Sequence, residues 1–233
     1  MDENLNYETY LYISPSRLFI SVTTNLNEKV YEEELKIEQL SRPFIFQKLD
    51  NFLDKNILKI EKKLNNFIQN ATIILDLDEI FSFEISVKKN NFENTITSKI
   101  LNHLLYDIKD YCKETTDKKK IIHMIICKYL VDNKNYPFLP KEINCNNFSL
   151  DIKFLCISVN LIKDLENILK KYQITLDHIV SADYIKEYLI NKDDDMSLMT
   201  KKIIDGHNPN EVKLVEKTIK NNGFFEKFFN FFN

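Results

Sequence analysis

The chain has 233 residues, a formal net charge of −3, 44% hydrophobic and 29% charged residues, and only two glycines. This balance is ordinary for a globular protein and is unlike that of a general nucleic-acid-binding protein, which carries a basic face. Because no glycine precedes Gly206, the sequence excludes the glycine-rich phosphate loops of Rossmann and P-loop proteins and the GxSxG nucleophile elbow.

The first part of the chain predicts three strands and then a long helix. The strands are predicted at residues 10–13, 18–23 and 30–37, with turns at Pro15-Ser16 and at residues 25–27. Apolar residues then recur at helical spacing over 47–69, which predicts an amphipathic helix. An apolar run at 71–77 and an alternating strand at 81–87 follow.

The second part predicts a mixture of strands and helices. Helices are predicted at 97–112, with Thr97 or Ser98 as N-cap, at 161–172 after an Asn160 cap, and at 182–190. Strands are predicted at 121–131, 150–158 and 176–181, and their alternation places Ile125 and Phe154 in the core. The element order indicates an α/β or α+β protein.

Residues with catalytic or metal-binding potential are scarce. The sequence places no carboxylate or cysteine at ligand or triad spacing around the histidines, so each is interpreted as a surface residue or a satisfied core residue. The cysteines form no CxxC pair, which favours reduced thiols and no metal. Asp76 and Asp78 could form a catalytic pair, but turn formation after a strand is the favoured interpretation. The histidines and cysteines are His103, His123, His178, His207, Cys112, Cys127, Cys145 and Cys156.

One stretch resembles the FtsA family of bacterial cell-division proteins. Residues 121–132 are similar to the family pattern of apolar residues around a histidine followed by Tyr-x-hydrophobic-Asp, with His123, Tyr129 and Asp132 at the expected places. Residues 150–157, 161–172 and 174–180 are similar to the strand, helix and strand that follow in the family. The resemblance implies a partial actin-like (ribonuclease H-like) lobe over 1–190, with an inserted strand-helix-strand-strand domain at about 82–160.

The sequence departs from the family where FtsA binds nucleotide. Tyr12 stands at the acidic position and Ser14 at the glycine position of the phosphate-binding turn, and Tyr172 or Gln173 replaces a family glycine. Neither the charge nor the backbone freedom of that turn is kept. Beyond residue 190, where the family's second lobe is expected, the chain instead predicts a flexible linker at 191–213. The resemblance therefore implies no nucleotide, no cofactor and no enzymatic activity.

The last residues, 214–233, predict an amphipathic helix. Helical spacing aligns its phenylalanines in one stripe, and FtsA proteins end in a similar helix that lies on the bilayer surface. The expected membrane-binding residues are Phe224, Phe225, Phe228, Phe229, Phe231, Phe232 and Lys227. The tail has a mild basic excess that suits anionic lipid.

The resemblance to FtsA, together with these departures, implies a non-catalytic adaptor of the bacterial division machinery. The N-terminus has no signal-peptide pattern and no apolar run is long enough to span a bilayer, so a location on the cytoplasmic face of the inner membrane is expected. The expected partners are other division proteins, such as FtsA-like or FtsZ-associated components, and the membrane surface. The alternative is a soluble interaction module whose tail packs on itself or on a partner.

Overall fold

The strands form two separate sheets, one of five strands and one of four. The computed structural model describes residues 6–38, 41–116, 118–140, 143–188 and 195–213. The strands are β1 (Tyr7–Ile13), β2 (Arg17–Thr24), β3 (Lys29–Lys36), β4 (Asn70–Leu75), β5 (Phe81–Asn90), β6 (Lys119–Val131), β7 (Lys134–Tyr136), β8 (Asn147–Ser158) and β9 (Thr175–Ser181). The helices are α1 (Arg42–Leu64), α2 (Ser98–Thr115), α3 (Val159–Lys170), α4 (Ala182–Tyr188) and α5 (Met196–Ile204).

The larger sheet has the order β3-β2-β1-β4-β9. The first three strands form an antiparallel meander, and β4 and β9 then add in parallel beside β1. This order and these directions are those of a ribonuclease H-like lobe. The predicted α/β class is therefore confirmed, and the larger sheet fits the predicted partial actin-like lobe.

Helices cover both faces of this sheet. On one face α1 and α3 pack against apolar residues of β1, β2 and β4. On the other face α4 and α5 pack against Tyr10, Tyr12, Ile74 and Val180. Because the central strands are covered on both sides, β1 and β4 are buried almost throughout, as is usual for parallel strands between two helical layers.

The smaller sheet lies between β4 and α3 in the chain and has the order β5-β8-β6-β7. Its strands are antiparallel, and α2 packs on one face over a core that includes Phe148, Ile152 and Phe154. The prediction that Phe154 is a core residue is confirmed, since none of it is exposed. The prediction for Ile125 needs correction: it is half-buried and faces the α4–α5 side, because irregularities at Ile121/His123 and Ile126/Lys128 interrupt the alternation of β6.

The helix ends differ from the sequence-based bounds for local reasons. Helix α1 begins at Arg42 instead of residue 47, with a proline in its first turn, and ends before Asn65, whose left-handed conformation (φ 51°) closes it. Thr97 caps α2 as predicted, by accepting a hydrogen bond from the backbone N–H of Ile100. Ser158, and not Asn160, caps α3.

The flexible linker predicted at 191–213 is wrong for the residues described there. Helix α5 is capped by Asp195 and buries Met199 and Ile203 against the larger sheet. Lys29 on β3 binds Asp195 at 2.6 Å. The pKa of Asp195 is lowered, because the bonds from Lys29 and from backbone N–H groups outweigh the opposing effect of burial. The polar residues of this stretch therefore hold α5 to the sheet.

After α5, residues 208–212 form a short strap across β6. The backbone N–H of Val212 donates to the Met124 carbonyl, and the N–H of Ile126 donates to the Asn210 carbonyl, both at 2.8 Å. The strap therefore connects α5, which packs on the larger sheet, to β6 of the smaller sheet. In the part of the chain that the structure describes, no helix is long and apolar enough to cross a membrane.

Candidate functional site

The carboxyl ends of β1 and β4 lie side by side, where the resemblance to FtsA predicts the counterpart of a phosphate-binding turn. Ile13 and Leu75 are paired at these ends, and the N–H of Asp76 donates to the Ile13 carbonyl at 2.9 Å. The residues that follow, Ser14 and Asp76, thus emerge at one edge of the sheet. Ligands of open α/β sheets bind outside the carboxyl ends of strands, which makes this edge the first place to examine.

The Asp76 carboxylate accepts hydrogen bonds from two other side chains of the protein. The Tyr12 hydroxyl and the Lys186 ammonium group both donate to Oδ2 of Asp76, the latter at 3.0 Å. Burial and the bond to Asp76 raise the pKa of Tyr12. Partial burial alone would lower the pKa of Lys186, but the bond to Asp76 outweighs it and the pKa is raised. Lys186 also binds Asp183 at 3.3 Å, so two carboxylates share its charge.

The polar groups of the turn between β1 and β2 are also hydrogen-bonded within the chain. The backbone N–H and the hydroxyl of Ser14 both donate to the Arg17 carbonyl at 3.0 Å. The Arg17 guanidinium lies over the Tyr12 ring, 4.6 Å from its centre. Residues 14–16 have no positive φ, so the turn lacks the left-handed conformation of an anion-binding nest. The Ser14 N–H, moreover, already has an acceptor within the turn.

An open cavity of about 820 Å³ borders this closed turn. Its charged lining consists of Glu34, Asp76 and Asp78 against Arg17 and Lys36. Of the two carboxylates that the sequence suggested as a pair, Asp76 is bound by Tyr12 and Lys186, while Asp78 is exposed. The acidic excess disfavours a phosphate in this cavity.

A second polar cluster joins the two sheets and the strap around His123. Its Nε2 atom accepts a hydrogen bond from the Ser181 N–H at 3.1 Å, and Nδ1 lies 2.8 Å from Oε1 of Glu211. Because a backbone N–H can only donate, Nε2 is the acceptor and Nδ1 carries the proton toward Glu211. Tyr184 donates to the other Glu211 oxygen at 3.0 Å, and Asn208 donates to the Tyr184 hydroxyl at 2.7 Å.

The burial and pairing of this cluster fit a structural role. His123 and Glu211 are nearly buried, with 3% and 6% of their side chains exposed. Both ring nitrogens of His123 are occupied, so neither is free to move a substrate proton. The interpretation of His123 as a satisfied core histidine is confirmed. Sequence reasoning missed Glu211, which lies 88 residues away.

A cleft with both polar and apolar lining lies beside the His123 cluster, between β6, β9, α5 and the strap. Its volume is about 300 Å³, and its apolar wall includes Ile121, Ile179, Ile204 and Val212. Lys109 and Lys213 contribute charged groups. Lys213 is also the last residue that the structure describes.

In the part of the chain that the structure describes, the remaining histidines and the cysteines form no recognisable site. The four cysteines are free thiols, with Cys127 exposed and the others buried. Among the described residues no group of three or more His, Cys, Asp or Glu side chains is placed to hold a metal ion. The predicted membrane-binding phenylalanines and Lys227 lie outside the described residues.

Comparisons with known proteins give only weak similarities. No family model matches the sequence, and no curated protein matches it. A solved structure of the PilM-PilN type IV pilus biogenesis complex has a TM-score of 0.47 and 8% identity, over 78% of this chain and 49% of that chain.

Two crystal structures of Marinitoga piezophila Argonaute, one with 5′ OH guide RNA and one with guide RNA and target DNA, have TM-scores of 0.28 and 0.26 and 14% identity. They match 73% of this chain and 26% of theirs. The chain thus spans about half of the length of the first protein and about a quarter of the others. None of these similarities identifies a family, and the resemblance to FtsA stays a prediction.

Proposed function

We propose that this chain is a non-catalytic adaptor of the FtsA-like type, which binds protein partners of the bacterial division machinery and attaches to the inner membrane through residues 214–233. The observation that carries the non-catalytic part is the closed edge at β1 and β4, where Asp76 is bound by Tyr12 and Lys186. A phosphate at this edge would compete with Asp76 for both donors and would lie beside its carboxylate. Both effects disfavour nucleotide binding.

We therefore expect no binding of ATP or GTP. Titration of the full chain with Mg-ATP in a calorimeter should give no heat of binding, and Tyr12→Phe should not create a site, since Lys186 still binds Asp76. A nucleotide-binding actin-like protein in the same buffer serves as the positive control. A dissociation constant tighter than about 100 μM, which is roughly −5.5 kcal/mol, would contradict the non-catalytic adaptor.

The membrane part of the proposal is supported by the sequence of the tail. Six phenylalanines lie within residues 224–232, and the burial of even part of each ring in a bilayer stabilises attachment at ~25 cal/mol per Å². The nearby lysines add a smaller electrostatic attraction to anionic lipid. The adaptor would then hold its partners at the cytoplasmic face of the inner membrane.

We expect the full chain to co-sediment with vesicles that contain anionic lipid, and Phe228→Asp/Phe229→Asp to abolish co-sedimentation, because each change places a charge in the apolar stripe. Asn230→Asp adds a charge on the opposite side of the predicted helix and is the control. It should still sediment. Added salt should weaken binding modestly, since apolar burial dominates. If a chain that ends at Asn222 sediments as well as the intact chain, the tail is not the anchor.

The cleft beside the His123 cluster favours a second candidate, a soluble interaction module whose tail packs on its own domain. The cleft is lined by Lys213, directly before the tail, and its apolar wall suits aromatic side chains. Phe225→Ala distinguishes the two candidates through thermal stability. A membrane tail predicts an unchanged melting temperature, whereas a tail packed in the cleft predicts a loss comparable to that of a core substitution.

A further inference from the structure

Strand β5 forms a long, regular and open edge of the smaller sheet. It pairs with β8 without interruption from Phe81 opposite Cys156 to Asn90 opposite Asn147. No other described strand pairs with it. All ten residues are exposed or only half-buried. The outer side of β5 therefore presents unpaired backbone donors and acceptors, which form a template for another strand.

The other sheet edges carry features that discourage such pairing. Strand β3 has three consecutive glutamates, Glu32 to Glu34, and pairs with β2 through an irregular register. Strand β7 has only three residues. The pairing of β9 with β4 is irregular at Ala71/Thr72. Strand β5 has no bulge and no proline, so its protection against pairing is limited to the charges of Glu84, Lys88 and Lys89, which a partner of complementary charge would neutralise.

The side chains of β5 divide between two faces. Phe83, Ile85 and Val87 lie on the face that packs toward α2 and are half-buried there. Glu84, Ser86 and Lys88 lie on the opposite face and are exposed. Neither Glu84 nor Lys88 forms an ion pair with another residue of the described chain. Both charges are thus available to a partner.

We propose that β5 pairs antiparallel with β5 of a second copy of this chain, with Ser86 opposite Ser86 of the partner subunit. This register sets Glu84 opposite the partner's Lys88, and by symmetry Lys88 opposite the partner's Glu84. On the other face it sets Ile85 opposite the partner's Val87. The centre of the strand, residues 84–88, is therefore complementary to itself in both charge and hydrophobicity, which is what a twofold interface requires.

The neighbouring registers fit less well. With Ile85 at the centre, Glu84 lies opposite a serine, and with Val87 at the centre it lies opposite Asn90 of the partner subunit. Only the Ser86 register forms two ion pairs. The result is a continuous sheet of eight strands, the sum of two four-stranded sheets, with both α2 helices on one face. This surface includes no residue of the tail, and its pairing does not depend on membrane attachment.

Charge reversal tests the register directly. Sedimentation velocity of the full chain over a range of concentrations should show a reversible dimer. Glu84→Lys and Lys88→Glu should each weaken dimerisation by about tenfold or more, because each places like charges opposite one another. The double variant Glu84→Lys/Lys88→Glu should restore it. Glu34→Lys, the same charge change on the β3 edge, should have no effect.

Cross-linking provides a second measurement that does not depend on charge. In a Cys127→Ser background, Ser86→Cys should form a disulfide between two copies under mild oxidation, since the register places both thiols at the twofold axis. Ser82→Cys is the control, because its two copies would lie about 26 Å apart at 3.3 Å per residue. The proposal is overturned if the chain stays monomeric up to ~100 μM. It is also overturned if charge reversal leaves dimerisation unchanged, or if the two cysteine variants cross-link equally.

Discussion

Phe154→Ala is expected to lower the free energy of unfolding by about 3–5 kcal/mol, the usual range for a buried phenylalanine. Phe154 is fully buried on β8, a central strand of the smaller sheet. Its ring stacks on Phe83 with ring centres 5.0 Å apart, and Met124 lies opposite it on β6. The substitution removes contacts with both neighbouring strands and with α2, and close-packed side chains cannot move far enough to fill the cavity.

Urea unfolding followed by far-UV circular dichroism measures this effect, since the chain has no tryptophan. The matched control is Phe67→Ala, whose side chain is 77% exposed. It should change stability by no more than about 0.5 kcal/mol. A loss below about 1 kcal/mol for Phe154→Ala would show that α2 and β8 do not form the packed core described above.

Glu211→Ala is expected to cost about 2–6 kcal/mol of stability. The substitution leaves two buried donors without an acceptor, Nδ1–H of His123 and the hydroxyl of Tyr184. Each such donor costs about 1–3 kcal/mol. Glu211→Gln should cost roughly half as much, because a glutamine oxygen can accept from one donor while its amide group faces the other.

Urea unfolding again provides the measurement, with hydrogen exchange over residues 208–212 as a local readout. The strap should exchange faster in Glu211→Ala, since its side-chain link to His123 is lost. Glu187→Ala is the control, because Glu187 is 60% exposed in its bond to Lys153 and should contribute less than about 1 kcal/mol. Equal losses for Glu187→Ala and Glu211→Ala would contradict a structural role for the buried cluster.

Local patterns were sufficient to predict most strands and helices. The strands β1, β2 and β9 begin and end within a few residues of their predicted bounds, because alternation and turn residues act over short distances. Two available signals were missed. Residues 132–133 both have positive φ and form the tight turn that adds β7. Residues 196–204 place Met199, Ile203 and Ile204 at helical spacing, although the stretch reads as a polar linker.

The candidate sites depended on contacts between distant residues. The sequence identified Tyr12 and Ser14 as departures from a phosphate-binding turn. It did not reveal that Lys186, 110 residues beyond Asp76, donates a hydrogen bond to the Asp76 carboxylate. In the same way, His123 has no carboxylate close by in sequence, and Glu211 reaches it only because the strap pairs with β6. Hydrogen-bond partners of this kind depend on the final packing of elements and leave no periodic signal.

The sequence by itself determined the α/β class, the core position of Phe154 and the absence of a glycine-rich phosphate loop before Gly206, because periodicity, alternation and residue type are local properties. Only the tertiary structure decided that the stretch after α4 packs as a helix, that Glu211 satisfies His123, and that β5 is an unpaired edge. Strand order is set by which apolar faces can be buried together, and hydrogen bonds form between whichever groups that burial brings into contact.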